Sequence, residues 1–135
     1  MQDIVREADE NDYKELGEMQ FELQKYFSEI DLTFESLPYR NIEDAHQYMQ
    51  KMINDVRNMN GKIFVFERNG NIVGFIQGVI IEHKKGDDKV YDLSHEPSKE
   101  GWIGLLYVKS EHRGNNVGKA LLDKMKDYFM AEMCN

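Results

Sequence analysis

Leu105-Leu106-Tyr107-Val108-Lys109-Ser110-Glu111-His112-Arg113-Gly114-Asn115-Asn116-Val117-Gly118-Lys119-Ala120-Leu121-Leu122 carries an apolar strand through a short Arg/Gly/Asn turn into an amphipathic helix. Leu105 to Val108 is a short apolar, partly β-branched run of the kind a buried strand uses. From Val117 the apolar residues recur at Leu121, Met125, Tyr128 and Phe129, which is helical spacing. Gly114, Asn115, Asn116 and Gly118 occupy the turn. Glycine reaches positive φ freely and asparagine more readily than other side chains, so such a turn points successive N–H groups into one concavity. The helix that follows leaves its first four N–H groups unpaired and carries partial positive charge at that end. An anion is the natural occupant. The alternative is an ordinary strand–turn–helix whose glycines only relieve turn strain.

Charge favours the anion locally. The chain has formal net charge −8, yet residues 109 to 126 hold Lys109, Arg113, Lys119, Lys124 and Lys126 against Glu111 and Asp123, a local charge of +3. A cationic island on an acidic protein suits a small polyphosphate ligand and not nucleic acid, which wants a broad basic face. The turn lacks the Lys-Ser/Thr ending of a Walker A loop and the G-x-G-x-x-G spacing of a dinucleotide fold, so it supports neither.

The stretch resembles the acetyl-CoA-binding motif of the GNAT superfamily of N-acetyltransferases, Arg/Gln-x-x-Gly-x-Gly/Ala, preceded by a strand ending in Val and followed by Lys-Ala-Leu-Leu. Arg113, Gly114, Asn115, Val117, Gly118, Lys119, Ala120, Leu121 and Leu122 fall on that pattern, and Asn116 stands where the family usually has Gly. A left-handed conformation costs a non-Gly residue roughly 1–2 kcal/mol, and less for Asn. The resemblance implies acetyl-CoA as cosubstrate, held by Leu106, Tyr107 and Val108 along the strand and by Arg113, Gly114, Asn115, Asn116, Val117, Gly118 and Lys119 in the loop. It also implies an α/β (α+β) fold with a mixed, mostly antiparallel central sheet flanked by helices.

The order of elements agrees over nearly the whole chain. Asp3 to Ala8 reads as a first strand, with Asp9 or Asp12 capping a helix that carries Leu16, Met19, Gln20, Leu23, Tyr26, Phe27 and Ile30 at helical spacing. A second helix starts near Asn41 or Asp44, with Ala45, Tyr48, Met49, Met52, Ile53 and Val56 along one face. Lys62–Arg68 and Asn71–Ile81 are β-rich runs joined by Asn69-Gly70, the strongest short-range hairpin signal. Gly74, Gly78 and Gly104 fall inside strand-like runs, where glycine marks a bulge or a close backbone approach. Glu82 to Glu100 is polar and aperiodic and reads as a long hairpin connection or substrate-side loop.

At 135 residues with 41% hydrophobic residues, the composition predicts one globular domain spanning residues 1–135. No apolar run approaches the ~20 residues needed to cross a bilayer. Cys134 is the single cysteine, which excludes an internal disulfide and suits a reducing cytoplasm. His46, His83, His95 and His112 are scattered and show no metal-ligand spacing, so they read as surface or loop residues and no metal is expected. His112, beside Arg113, is placed to add a contact to cofactor phosphates. Asp92-Leu93-Ser94-His95 holds the residue types of a hydrolase triad without a nucleophile elbow around the serine.

The resemblance implies direct attack of an amine on the thioester in a ternary complex. An ammonium is not a nucleophile, so a base must take its proton and an acid should protonate the leaving thiolate. Backbone N–H groups of a bulged strand would polarise the carbonyl. Many family members carry a carboxylate on the strand before Val108, where this chain has Gly104 and Leu105. Glu82, Glu100 and Tyr107 are the catalytic candidates that remain, each with the alternative of a solvated charge or a packed aromatic. Glu29, Asp31, Glu35, Glu43 and Asp44 with Phe34 and Tyr39 outline an acidic, aromatic rim that favours a cationic amine acceptor, or else a solvated acidic surface. A catalytically degenerate acyl-CoA-binding or protein-interaction domain of the same fold is the second functional class.

Family members continue past the helix of residues 117 to 132 with another strand and a helix carrying a Tyr acid, neither of which lies within these 135 residues. The sequence therefore predicts a C-terminally truncated member in which the strand ending at Val108 forms a hydrophobic sheet edge. Homodimerisation that completes the sheet is the expected remedy. Analytical ultracentrifugation should then show a dimer, and a strictly monomeric species would contradict the pairing.

Overall fold

The structure, a computed structural model, describes residues 3–30, 41–83 and 98–132. The chain runs from strand β1 (Asp3–Glu7) through a short 3-10 turn (Glu10–Asp12) into helix α1 (Tyr13–Ile30), then helix α2 (Ile42–Asn58) and strands β2 (Gly61–Arg68), β3 (Asn71–His83) and β4 (Ser98–Val108). A second 3-10 turn (Ser110–His112) leads to helix α3 (Val117–Ala131). The four strands form one sheet in the order β1-β2-β3-β4, every neighbouring pair antiparallel. The expected mixed fold with a largely antiparallel central sheet is the one observed.

Local chemistry sets the connections. Asn69 (φ 56°) and Gly70 (φ 81°) both adopt positive φ, the requirement of the tight turn whose twist matches that of a hairpin, and Arg68 pairs with Asn71 across it. Asp9 accepts from Asn11 N–H while the Asp12 carboxylate accepts from Asp9 N–H at 2.8 Å, so each closes the turn that feeds α1. Asn41 caps α2 by accepting from Asp44 N–H at 3.0 Å.

Strand alternation gives the sheet two buried faces. Ile63, Val65, Ile72, Phe75 and Tyr107 point to α1 and α2, which contribute Leu16, Met19, Leu23, Met49, Ile53 and Val56. Phe64, Phe66, Val73 and Ile76 point to α3, which contributes Val117, Leu121 and Met125. The result is three layers with the sheet in the middle. Leu16, Met19, Gln20 and Leu23 of the first helical stripe and Ala45, Met49, Ile53 and Val56 of the second are buried in these core faces, whereas Tyr26, Phe27 and Tyr48 are exposed. His46 belongs to α2 in edge contact with Tyr13 rather than to a loop.

Two strand assignments need correction. The segment from Glu82 to Glu100 is not all connection: β3 continues to His83 and β4 begins at Ser98, with Glu82 opposite Lys99 and His83 opposite Ser98. Those residues lack an alternating pattern, and backbone pairing to the neighbouring strand supplies what their side chains do not. The run Leu105–Val108 is also not a fully buried strand, since among the described residues β4 is the edge of the sheet and Leu106 is 38% exposed. Asp31, Phe34, Glu35, Tyr39, Asp92, Ser94, His95 and Cys134 lie outside the described residues.

One ion-pair cluster ties β1 to the start of α1. Arg6 donates to both Asp12 oxygens at 2.8 and 2.9 Å and to Glu67 on β2 at 3.0 Å. Burial pushes the Asp12 carboxyl up, but the bonds from Arg6 and from Asp9 N–H, with the Arg6 charge, hold it below its ordinary value. A depressed folded-state pKa contributes stability that is complete above the unfolded value of about 3.9 and is lost as pH falls through the folded value. Asp12→Asn is therefore expected to cost about 1–3 kcal/mol at neutral pH and to flatten the loss of stability below about pH 4. Urea unfolding across pH checks this, and a variant with the parent curve would show that the cluster adds no net stability.

Candidate functional site

Between β4 and α3 the backbone is bent to a specific purpose. Lys109 N–H donates to the Val73 carbonyl at 2.8 Å, so pairing with β3 continues one residue past the strand. The 3-10 turn then reverses the chain, Gly114 follows at φ 84°, and Asn116 sits in the left-handed region at φ 65°, ψ 13°. Asn116 is the residue before α3, and its side chain makes no capping hydrogen bond. The first turn of α3 contains no acidic residue, so its unpaired N–H groups keep their positive character.

The same geometry leaves room for a ligand backbone. A side chain at Gly114 would meet nothing within 4 Å, and one at Gly118 would touch only Val108 Cγ2 at 3.9 Å. Val117, Leu121 and Met125 are buried against the sheet and fix the helix whose amino end forms the site. Lys109, Arg113 and Lys119 supply positive charge around it, Lys119 also pairing with Asp123 at 3.1 Å. N–H donors, cations and open space above glycine are what a pyrophosphate requires. His112 Nδ1 lies 3.3 Å from Arg68 Nη1, which in turn is held by Asp3.

The edge of β4 extends the site. Antiparallel pairs alternate, and the Lys109–Val73 bond makes Phe75 with Tyr107 a hydrogen-bonded pair, so the N–H and C=O groups of Leu106 and Val108 face the free edge. The Val108 carbonyl accepts from Arg113 Nε at 2.8 Å. Register slips between Gln77 and Gly78, where Leu105 pairs with Gln77 and Ile103 with Gly78, leaving Gly104 as the extra residue of a β-bulge. A Cβ at position 104 would press on the end of the Gln77 side chain, which would have to swing aside.

A cleft of about 520 Å³ wraps that edge, lined by Leu106 and Val108 from one face of β4, Tyr107 from the other, Arg113 from the turn, and Glu22, Leu23 and Tyr26 from α1. Tyr107 OH donates to Glu22 Oε2 at 2.8 Å, and the Arg113 guanidinium lies 5.6 Å from the centre of the Tyr107 ring. Burial first, then the bond to the Glu22 carboxylate and its charge, push the Tyr107 phenol up to about 12 despite the opposing charge of Arg113.

The structure thus brings together the whole predicted cofactor set: Leu106, Tyr107 and Val108 on β4, and Arg113, Gly114, Asn115, Asn116, Val117, Gly118 and Lys119 in the turn and the start of α3. It does not bring Glu82 and Glu100 to them. Those residues sit at the opposite end of the β3–β4 pair, Glu82 opposite Lys99 and Glu100 opposite Ile81. At about 3.3 Å per residue, Glu100 is on the order of 20 Å along the strand from Tyr107. Glu100 accepts from Trp102 Nε1 at 3.0 Å. The residue that sequence reasoning missed is Glu22, a carboxylate on an exposed helix position that carries no local signal. Only its placement against Tyr107 gives it meaning.

Residues 23–135 match the Acetyltransferase (GNAT) family. This chain belongs to the GNAT acetyltransferase family. Solved structures repeat the fold at low identity. A tetramutant of the BH1408 protein from Bacillus halodurans superimposes with TM-score 0.75 at 18% identity, over 98% of this chain and 78% of that one. An acetyltransferase from Vibrio fischeri gives 0.69 at 17%, over 98% and 90%. A ribosomal-protein-alanine N-acetyltransferase from Brucella melitensis biovar Abortus 2308 gives 0.68 at 15%, over 100% and 76%. No curated protein matches the chain. In this GNAT chain no helix among the described residues is long and apolar enough to cross a membrane, and no group of three or more His, Cys, Asp or Glu among them is placed to hold a metal ion.

Proposed function

We propose that this GNAT protein is an N-acetyltransferase that moves the acetyl group of acetyl-CoA onto a primary amine. The observation that carries the reading is the junction of β4 with α3. There a left-handed Asn116 opens the uncapped amino end of α3 beside the outward-facing N–H and C=O groups of Leu106 and the N–H of Val108, whose carbonyl Arg113 already holds. One end suits the phosphates and the other suits an extended amide-bearing arm, which would add to the edge as a short strand does.

In this reading Gly114, Asn115, Val117, Gly118 and Lys119 hold the pyrophosphate with backbone N–H groups, and Arg113 and Lys119 add charge. Arg113 does two further things: it occupies the Val108 carbonyl and it covers Tyr107. Acetyl-CoA supplies an activated thioester carbonyl. The Leu106 N–H, on the free edge beside the bulge at Gly104, is the donor that would polarise that carbonyl. Asn116 fits the pattern without glycine because asparagine tolerates the left-handed conformation it adopts here.

The acceptor is proposed to be a cationic amine, supported by Glu22, the one carboxylate among the described residues that line the cleft. A binding-only role is favoured by a different observation, the distance of Glu82 and Glu100 from the cleft, and CoA release across an amine panel separates the two.

Titration of acetyl-CoA into the purified chain by calorimetry should give a micromolar Kd, equivalent to about −8 kcal/mol at 1 μM. Gly118→Glu should abolish it by placing bulk and negative charge where the phosphates lie, with the fold retained because nothing but Val108 Cγ2 borders that position. Equal affinity in parent and variant would place the cofactor elsewhere.

A further inference from the structure

We infer that Glu22 receives the acceptor's ammonium group and takes its proton, with Tyr107 as the residue that positions it. This rests on the acetyl-transfer reading above and names the group that reading lacks.

Glu22 is the only carboxylate among the described residues that line the cleft at the β4 edge. Its Oε2 is engaged by Tyr107 OH at 2.8 Å, and Oε1 has no hydrogen-bond partner among the described residues. The neighbouring phenol cannot do the same work. Burial and the Glu22 carboxylate push it up to about 12, so it remains a donor and the carboxylate remains the acceptor of any proton that arrives. The Arg113 guanidinium lies 5.6 Å from the centre of the Tyr107 ring, and its Nε is anchored on the Val108 carbonyl. Carbonyl, guanidinium, phenol and carboxylate form one unbroken series from the cofactor turn to the cleft.

The surroundings select the ligand. Leu23 and Tyr26 flank Glu22 on α1, and Tyr26 is 58% exposed, an aromatic face open to a cation or an apolar chain. One negative charge beside an apolar and aromatic wall fits a primary ammonium on an aliphatic or aromatic stem. The charged and titratable groups around Glu22 are Tyr107 from β4, Arg113 and Glu111 from the turn acting on Tyr107, and Glu18, Lys25 and Tyr26 on its own helix.

The step balances without a further reactant. An N–H bond of the ammonium breaks and its proton passes to Glu22 Oε1. The freed nitrogen lone pair forms the N–C bond at the thioester carbonyl carbon, and the C–S bond breaks with its electron pair leaving on the CoA sulfur. The nitrogen, now cationic, gives up a second N–H proton that reaches that sulfur through water and leaves a neutral amide and thiol. Glu22 returns its proton to solvent.

The test compares parent, Glu22→Gln and Tyr107→Phe. Acetyl-CoA affinity is read by calorimetry, and CoA release is followed with spermidine, tyramine and an alanine-initiated peptide across pH. Glu22→Gln should bind acetyl-CoA within about twofold of the parent and lose about 10²–10⁴ in kcat. Tyr107→Phe, which frees the carboxylate to move, should lose about tenfold in kcat/KM, one strong hydrogen bond's worth. A Glu22→Gln variant with the parent rate overturns the assignment and leaves acetyl transfer standing. Acetyl-CoA binding with no amine-dependent release from the parent overturns both Glu22 and catalysis. Absence of acetyl-CoA binding overturns the cofactor reading itself.

Discussion

The pairing of β4 with β3 is the interaction on which the rest of this molecule depends. It fixes the last strand along one side only, and the Lys109–Val73 bond carries it one residue beyond the strand end. Because β4 is an edge among the described residues, half of its backbone groups face away from the sheet. An edge of this kind is a liability when flat and open. Here the edge is bulged at Gly104, overhung by α1, and partly covered by Arg113 at the Val108 carbonyl.

Helix α3 is the second half of the same device. Val117, Leu121 and Met125 are almost completely buried against the sheet, and removing a side chain such as Leu121 from that contact would cost on the order of 2–5 kcal/mol. That burial aims the helix so that its amino end meets the carboxyl end of β4. The left-handed residues Gly114 and Asn116 let the chain make the turn in so few residues. In the proposed reading, phosphate recognition would be a product of core packing on one side of the sheet, while the acceptor side would be built on the other face, where Tyr107 reaches Glu22.

Much of this was legible in the residues. The Asn69-Gly70 turn, the helical stripes, the glycine of the bulge and the left-handed Asn116 each follow from local rules that act within a few residues. What was not legible depends on contacts between distant segments. The register that extends β3 and β4 to His83 and Ser98 comes from pairing rather than from side-chain pattern. Glu22 lies 85 residues before Tyr107, and on a polar helix surface one glutamate looks like another. Glu82 and Glu100 lie at the end of the β3–β4 pair away from the cleft. Sequence position alone does not say at which end of a hairpin the site will form.

The central claim is that one ligand spans the α3 amino end and the β4 edge. Backbone amide NMR of the chain titrated with CoA tests it most directly, because each N–H reports separately. The account predicts the largest shifts at Gly114, Asn115, Gly118 and Lys119 together with Leu106 and Val108, while the β1 amides stay put. Shifts confined to the turn would contradict the edge as part of the site, and shifts centred on the groove between Tyr48, Met59 and Val79 would contradict the account as a whole.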